Sequence, residues 1–320
     1  MTTKRNLPPR TGQQYTIVHG DYRATVAQLG AILRELTYKG EPILASFGAD
    51  ELVNCCAGQP LIPFPNRIEG GTYTFDGVDY ELPIDEHERN NAIHGYGYRS
   101  YWNLDSLSGD EVTLWWRVPD LAGYPFDVVV TLTYRLDDDG LHIHFDAYNN
   151  DDKPAPWALA MHPWLANGGW KHGDDIDADN ARCRLQIPAK THVVVNGNLI
   201  PTGLEPVDGT KFDFRADGGR LLDDQPYDDA LTDVEHEADG TVTALFTRPD
   251  GLKIRIVGDE TITSFQVCDG TGFPPDSHPA GVAVEPQTAY ANAFKTGDDL
   301  IVIEPGTSSE TDLLIGVVAD

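Results

Sequence analysis

The sequence predicts an all-β protein built as a large, mostly antiparallel β-sandwich. Three observations predict it. Short runs of β-branched and aromatic residues recur along the whole chain. Asp-Gly pairs close several of these runs, and stretches with apolar residues at helical spacing are nearly absent.

In chain order, the first hairpin signal is TYTFDGVDYEL, where Asp76-Gly77 separates two alternating segments. Asp139-Gly140 sits between VVVTLTYRL and LHIHFDAY, Asp239-Gly240 precedes TVTALFTR, and Asp250-Gly251 joins that segment to LKIRIVG. Each is read as a hairpin, because Asp-Gly supplies the positive φ angles that a tight primed turn requires. The best helical spacing is a weak segment over residues 223–233. Acidic patches at 137–139, 174–179 and 223–229 are short enough to be turns. No Gly/Ser linker, low-complexity block or fixed-period repeat divides the chain, so residues 1–320 are read as one domain, with 1–12 as a loosely held lead.

Composition excludes some partners. With 51 acidic against 23 basic residues and a net charge of -28, the surface is wrong for nucleic acid or an anionic membrane, both of which need basic patches. Anionic substrates would require a local arginine cluster. Cys55, Cys56, Cys183 and Cys268 show no C-x-x-C spacing and are read as reduced core residues. The N-terminus has two early basic residues without an apolar run behind them, and no stretch approaches the roughly 18 apolar residues of a membrane span. A soluble, cytoplasmic protein is expected.

Five polar sites stand beside glycine, proline or aromatic residues. Asn66-Arg67 lies in PLIPFPNRIEGG, where an arginine between Phe64 and Ile68 is expected to point into a cleft, its donor fork free for sugar hydroxyls or a carboxylate. His94 occurs in NNAIHGYGYRSYW, with Gly95 and Gly97 leaving room near the backbone; the third glycine of a dinucleotide fingerprint is missing. His162 stands in AMHPWLANGGW among Trp157, Trp164 and Trp170, and flat aromatic faces beside polar groups suit carbohydrate recognition. Glu285, in GVAVEPQTAYANAF, ends an apolar strand and is expected to be half-buried, which would raise its pKa and make it a better base. Asp228 falls within an acidic cluster with Asp229 adjacent as the alternative, and most such clusters are simply solvated. His142 and His144 share a strand face, but no third ligand with convincing spacing accompanies them, so no metal is expected.

Taken in order, NRI followed by G-x-Y-x-F-x-G, then N-x-IHG, HPW, and EPQT before N-A-F, resembles the aldose 1-epimerase, or galactose mutarotase, family over about residues 15–315. The resemblance implies that family's mutarotase-like supersandwich fold. It implies Glu285 as general base on the anomeric hydroxyl and His162 as general acid on the ring oxygen, with ring opening to the free aldehyde. Arg67, His94, Asp228, Asn66 and Trp164 are implied as sugar-binding residues, Trp164 standing where relatives carry Tyr or Phe. No cofactor is implied. The expected partner is a small-molecule sugar, and the protein is expected as a monomer or homodimer. Two alternatives stay open: a hexose-6-phosphate 1-epimerase using Arg89 and Arg99, and a catalytically silent sugar-binding protein of the same fold.

Overall fold

The computed structural model describes residues 7–51, 53–169, 175–223 and 225–318. Strands dominate, and every ladder between them is antiparallel. A nine-stranded sheet runs from Asn103–Leu107 at one edge through Val128–Asp137, Gly140–Asn149 and Ser308–Val317 to Arg220–Leu221 at the other. An eight-stranded sheet carries, among others, Ala189–Val195, Asp228–Val234, Ser264–Cys268 and Gly281–Gln287, with Trp164–Ala166 pairing onto the last. A four-stranded sheet begins at Gln14–His19. The alternation in VVVTLTYRLD explains the nine-stranded sheet's inner face: Val128, Val130, Leu132, Tyr134 and Leu136 are all buried. They join Phe265, Val267, Val282 and Val284 of the eight-stranded sheet in one apolar cluster, which makes the molecule a mostly antiparallel sandwich.

The turn chemistry is more varied than four equivalent hairpins. Asp76-Gly77 is the expected primed turn, with φ of 49° and 74° and Phe75 paired with Val78. At the second site Asp137 pairs with Gly140, so Asp138-Asp139 forms the loop. Asp250-Gly251 lies in a longer loop, since Thr247 pairs with Lys253. Asp239-Gly240 makes no hairpin. It links Asp228–Val234 in one sheet to Val242–Thr247 in the other, a cross-over that local sequence does not distinguish from a hairpin.

Three further expectations change. The weak helical segment is largely the strand Asp228–Val234, because cross-strand pairing on both sides overrides a marginal local spacing. Among the described residues α-helix is confined to Ile176–Ala181, capped by the Asp175 side chain, and Ala293–Thr296. From Asp175 onward the acidic patch at 174–179 is a capped helix and not the expected turn, because an Asp side chain there satisfies the first free helix N–H groups, while Asp174, Asp224 and Trp170 lie outside the described residues. Cys183 and Cys268 are buried, whereas Cys55 and Cys56 are half-buried; all are free. Of the lead, Arg10 to Gly12 is bonded to the body: Thr11 Oγ1 donates to Ala49 O at 2.7 Å, and the Tyr101 hydroxyl donates to Arg10 O at 2.9 Å. His142 and His144 flank buried Leu141, Ile143 and Phe145 and sit beside Asp137 and Asp312, not in a metal cluster among the described residues.

Gly95 shows how tightly the site loop is held. Its φ is +63°, and a Cβ there would lie 2.1 Å from Ile62 O; Gly77, also left-handed, has open space around it. Gly77→Ala should therefore cost only the left-handed penalty of about 1–2 kcal/mol, and Gly95→Ala clearly more, because backbone must move. Denaturant unfolding of both variants checks this; equal losses would contradict the packing around Gly95.

Candidate active site

The site is assembled by strand register. Gln266 pairs with Glu285, and Asp228 with Cys268. On the far side of the Glu285 strand, Ala160 pairs with Gln287 and Trp164 with Ala283. Continuing that register puts His162 opposite Glu285. One face of the sheet thus carries Gln266, Glu285 and His162 in a row across three strands, with Asp228, Cys268, Ala283 and Trp164 in the next. The same strand buries Val282 and Val284 on its other face, so Gly281–Gln287 is enclosed on both sides.

Pro286 has a place in this geometry. Along that edge the Val284 N–H donates to Pro163 O and the Thr288 N–H to Leu159 O. Backbone donors alternate sides along a strand, so the donor that proline lacks would have pointed the same way. The missing rung falls where the chain carrying His162 crosses the strand, and no amide is left unpaired there.

Glu285 is only 2% exposed and lies inside the strand, more deeply buried than the half-buried strand end that the sequence suggested. His162 is 7% exposed, and its Nε2 is 3.2 Å from Glu285 Oε1. Burial disfavours charge on both. It raises the Glu285 carboxyl well above the usual range, with the neighbouring Asp228 charge adding to this and Arg67 opposing it. It lowers the His162 imidazole to about 4. The pair therefore holds one proton across a wide pH range, with the arrangement Glu285-COOH/His162 favoured and the ion pair one proton transfer away. His162 Nδ1 and Glu285 Oε2 are buried with no hydrogen-bond partner among the described residues.

A second clasp delivers His94 and Arg67. Asn66 and His94 both adopt left-handed backbone, φ 53° and 62°, at one end of the short ladder between Arg67–Glu69 and Asn91–Ile93. They bond reciprocally: the His94 N–H donates to Asn66 O at 2.9 Å, and the Asn66 N–H to His94 Nδ1 at 3.1 Å. A ring nitrogen that accepts carries no proton, so neutral His94 has its hydrogen on Nε2. Burial, with His162, Arg67 and Arg99 nearby, keeps His94 well below its ordinary pKa and hence neutral. Its ring meets His162 edge-to-face at 6.1 Å.

Arg67 is held by a carboxylate that sequence reasoning did not single out. Its Nε and Nη2 donate to Glu86 at 2.9 Å each in a fork, and Nη1 donates to Asn66 Oδ1 at 3.1 Å. Burial works against charge on Glu86, but bonds from Arg67 and Asn91, with the Arg67 and Arg89 charges, more than offset it and keep the carboxyl below its usual value. Gln266 was also missed. Its amide donates to Asp228 Oδ1 at 2.8 Å and accepts from Asn66 Nδ2 at 3.4 Å, tying the clasp to the sheet.

Asp228, not Asp229, turns to this face. Its carboxylate is open to solvent although densely surrounded, as a group lining a concave site is. Asp229 points the other way, to His192 at 3.0 Å. Trp164, expected to offer a flat face to a sugar, is 1% exposed. It stacks behind His162 at 6.0 Å and donates from Nε1 to Cys55 O at 2.9 Å, so it fixes the imidazole from behind.

A sequence model of the family described as aldose 1-epimerase matches residues 13–315. The uncharacterized protein YihR of Escherichia coli K12 is 30% identical over 301 residues, 92% of this chain and 90% of that protein. Galactose mutarotase of Rattus norvegicus is 34% identical over 157 residues, which is 47% of this chain and 42% of the rat protein. Among solved structures, an aldose epimerase homologue from Caenorhabditis elegans superposes with TM-score 0.81 at 20% identity, covering 96% of this chain and 98% of that one. A putative aldose 1-epimerase from Escherichia coli K12 gives 0.80 at 19%, covering 96% and 99%, which shows a shared fold.

The raised Glu285 carboxyl has a signed consequence for stability. A group whose folded pKa lies above its unfolded value stabilises fully below the unfolded value, here 4.5, and that contribution is lost as pH rises towards the folded one. Glu285→Gln removes this loss. Its stability relative to wild type should climb by up to about 1.4 kcal/mol per pH unit above pH 5, measured by urea unfolding at pH 5, 6, 7 and 8. A constant difference would mean that Glu285 titrates normally.

Proposed function

The chain belongs to the aldose 1-epimerase family, and on that premise we propose that it interconverts the α and β anomers of a free aldose such as galactose or glucose by opening and reclosing the sugar ring. The observation that carries this reading is the buried His162–Glu285 pair, 3.2 Å apart, each member with an inward atom left unbonded. Glu285 as carboxylate takes the proton of the anomeric hydroxyl. His162 as imidazolium protonates the ring oxygen, the ring C–O bond breaks, and the aldehyde forms. Rotation about C1–C2 presents the other carbonyl face; reclosure returns both protons, so no net proton is needed.

Burial suits both roles. A raised carboxyl pKa makes Glu285 a stronger base, and a lowered imidazole pKa makes His162 a stronger acid. The remaining groups fit recognition of hydroxyls. Neutral His94 offers an Nε2 donor, Asp228 a carboxylate acceptor, and Arg67 a guanidinium whose charge Glu86 already balances. Trp164 and Asn66 act by holding His162 and Arg67 in place.

A phosphate-bearing substrate fits less well. Arg89 Nη1 is bonded to Glu86 at 2.8 Å, and Arg99 Nη1 to Asp85 at 2.7 Å, so the charge of each is already met by a carboxylate. Nor does binding alone require a buried acid and base that cost stability. No helix among the described residues is long and apolar enough to cross a membrane.

Polarimetry on fresh α-glucose, α-galactose and their 6-phosphates tests the proposal. Catalysed mutarotation of the free sugars, with higher kcat/KM than for the phosphates at fixed ionic strength, is expected. Glu285→Gln should lower it by about 10²- to 10⁴-fold. A near wild-type rate in that variant would remove the base; a clear preference for the 6-phosphates would overturn the substrate class.

A further inference from the structure

Behind the site, on the opposite face of the strand Asp228–Val234, His192 and Asp229 form a part-buried pair, with side chains 12% and 18% exposed. His192 sits on the neighbouring strand Ala189–Val195, where it pairs with Leu231. Its Nε2 lies 3.0 Å from Asp229 Oδ1. A carboxylate can only accept, so this ring nitrogen carries the hydrogen. The other Asp229 oxygen, Oδ2, accepts the backbone N–H of Asp228 at 3.1 Å. Phe212 lies flat on the imidazole, 3.6 Å away and 12° from parallel, which leaves His192 little freedom to turn. Lys211 Nζ sits 4.9 Å from both the Phe212 and Tyr227 rings and closes the outer side.

The bonds form one line: a stacked imidazole grips Asp229, and Asp229 grips the main chain of Asp228. Asp228 then presents its carboxylate to the site, where Gln266 steadies Oδ1 at 2.8 Å. Asp228 stands at the first residue of its strand, where fewer ladder bonds hold the backbone than in the middle. A bond to its own N–H is therefore an effective way to fix where its carboxylate points.

We propose that His192 is a positioning residue for sugar binding, acting through Asp229 on Asp228 and never touching the substrate. This rests on the reading of Asp228 as an acceptor of sugar hydroxyls. A group that fixes a binding carboxylate taking no part in the proton transfer affects ground state and transition state alike, so its loss appears mainly in KM and little in kcat.

Two substitutions separate the ring's stacking from its donor. His192→Phe keeps the stack on Phe212 and removes the N–H; His192→Gln keeps an N–H at similar reach and removes the ring. His192→Phe is expected to raise KM for galactose or glucose roughly tenfold, the size of one lost charged hydrogen bond in part, with kcat within about twofold. His192→Gln should recover most of the loss. In an Asp228→Ala background, His192→Phe should add nothing further. Unchanged KM in His192→Phe, beside a raised KM in Asp228→Ala, overturns the proposal, as does an equal His192→Phe effect in both backgrounds. Should His192→Phe fail to fold, Asp229→Asn serves: the same KM rise is expected, and an unchanged KM overturns it. Unchanged KM in Asp228→Ala would instead refute the underlying assignment of Asp228 to the sugar.

Discussion

The structure turns on the register of the strands around Gly281–Gln287. Side chains on a strand alternate faces, so a slip of one residue would move Glu285 into the apolar core and bring Val284 to the site. The register is fixed by burial on both sides of that strand and by the ladder to Ser264–Cys268. From it follow the cross-strand alignment of Gln266, Glu285 and His162, and the next row with Asp228 and Trp164. The loops then complete what the sheet has placed.

Electrostatics at this site runs against the molecule as a whole. A net charge of -28 favours a pocket crowded with carboxylates. Instead each charged group near the pair is answered. Arg67 meets Glu86 in a bidentate bond, Asp229 is answered by His192, and Arg99 by Asp85. The central pair itself keeps two buried atoms, His162 Nδ1 and Glu285 Oε2, without a hydrogen-bond partner among the described residues, which costs stability unless a ligand completes them. Asn66 and His94 beside it hold left-handed backbone, which costs free energy in residues other than glycine. A site held at such cost is consistent with proton transfer at its centre.

Much of this was legible in the sequence because it rests on local pattern. Alternating runs such as VVVTLTYRLD give the strands, and the residues set beside glycine and proline, Asn66, Arg67, His94, His162 and Glu285, converge in space. What was not legible depends on contacts between distant segments. Glu86 and Arg67 meet across a loop, Gln266 has no local mark beyond its place in an alternating strand, and the choice between Asp228 and Asp229 follows from pairing with Cys268. Asp239-Gly240 looks like its hairpin counterparts because a turn residue fixes local φ, not the sheet that the next strand joins. Trp164 is a similar case, since an aromatic beside a site residue can equally be its backing, and here it is 1% exposed behind His162.

Glu285 and His162 share one proton in a buried pair whose members are shifted in opposite directions. The most direct measurement is the pH dependence of kcat/KM for mutarotation between about pH 4 and pH 9 at fixed ionic strength. With His162 lowered to about 4 and Glu285 raised well above 4.5, the active ion pair stays a constant fraction between those limits. A plateau is predicted that starts near 4 and falls only where the pair loses its last proton, well above the ordinary carboxylate range. A rate still rising through pH 6.5, the ordinary histidine value, or an alkaline limb in the ordinary carboxylate range would contradict it.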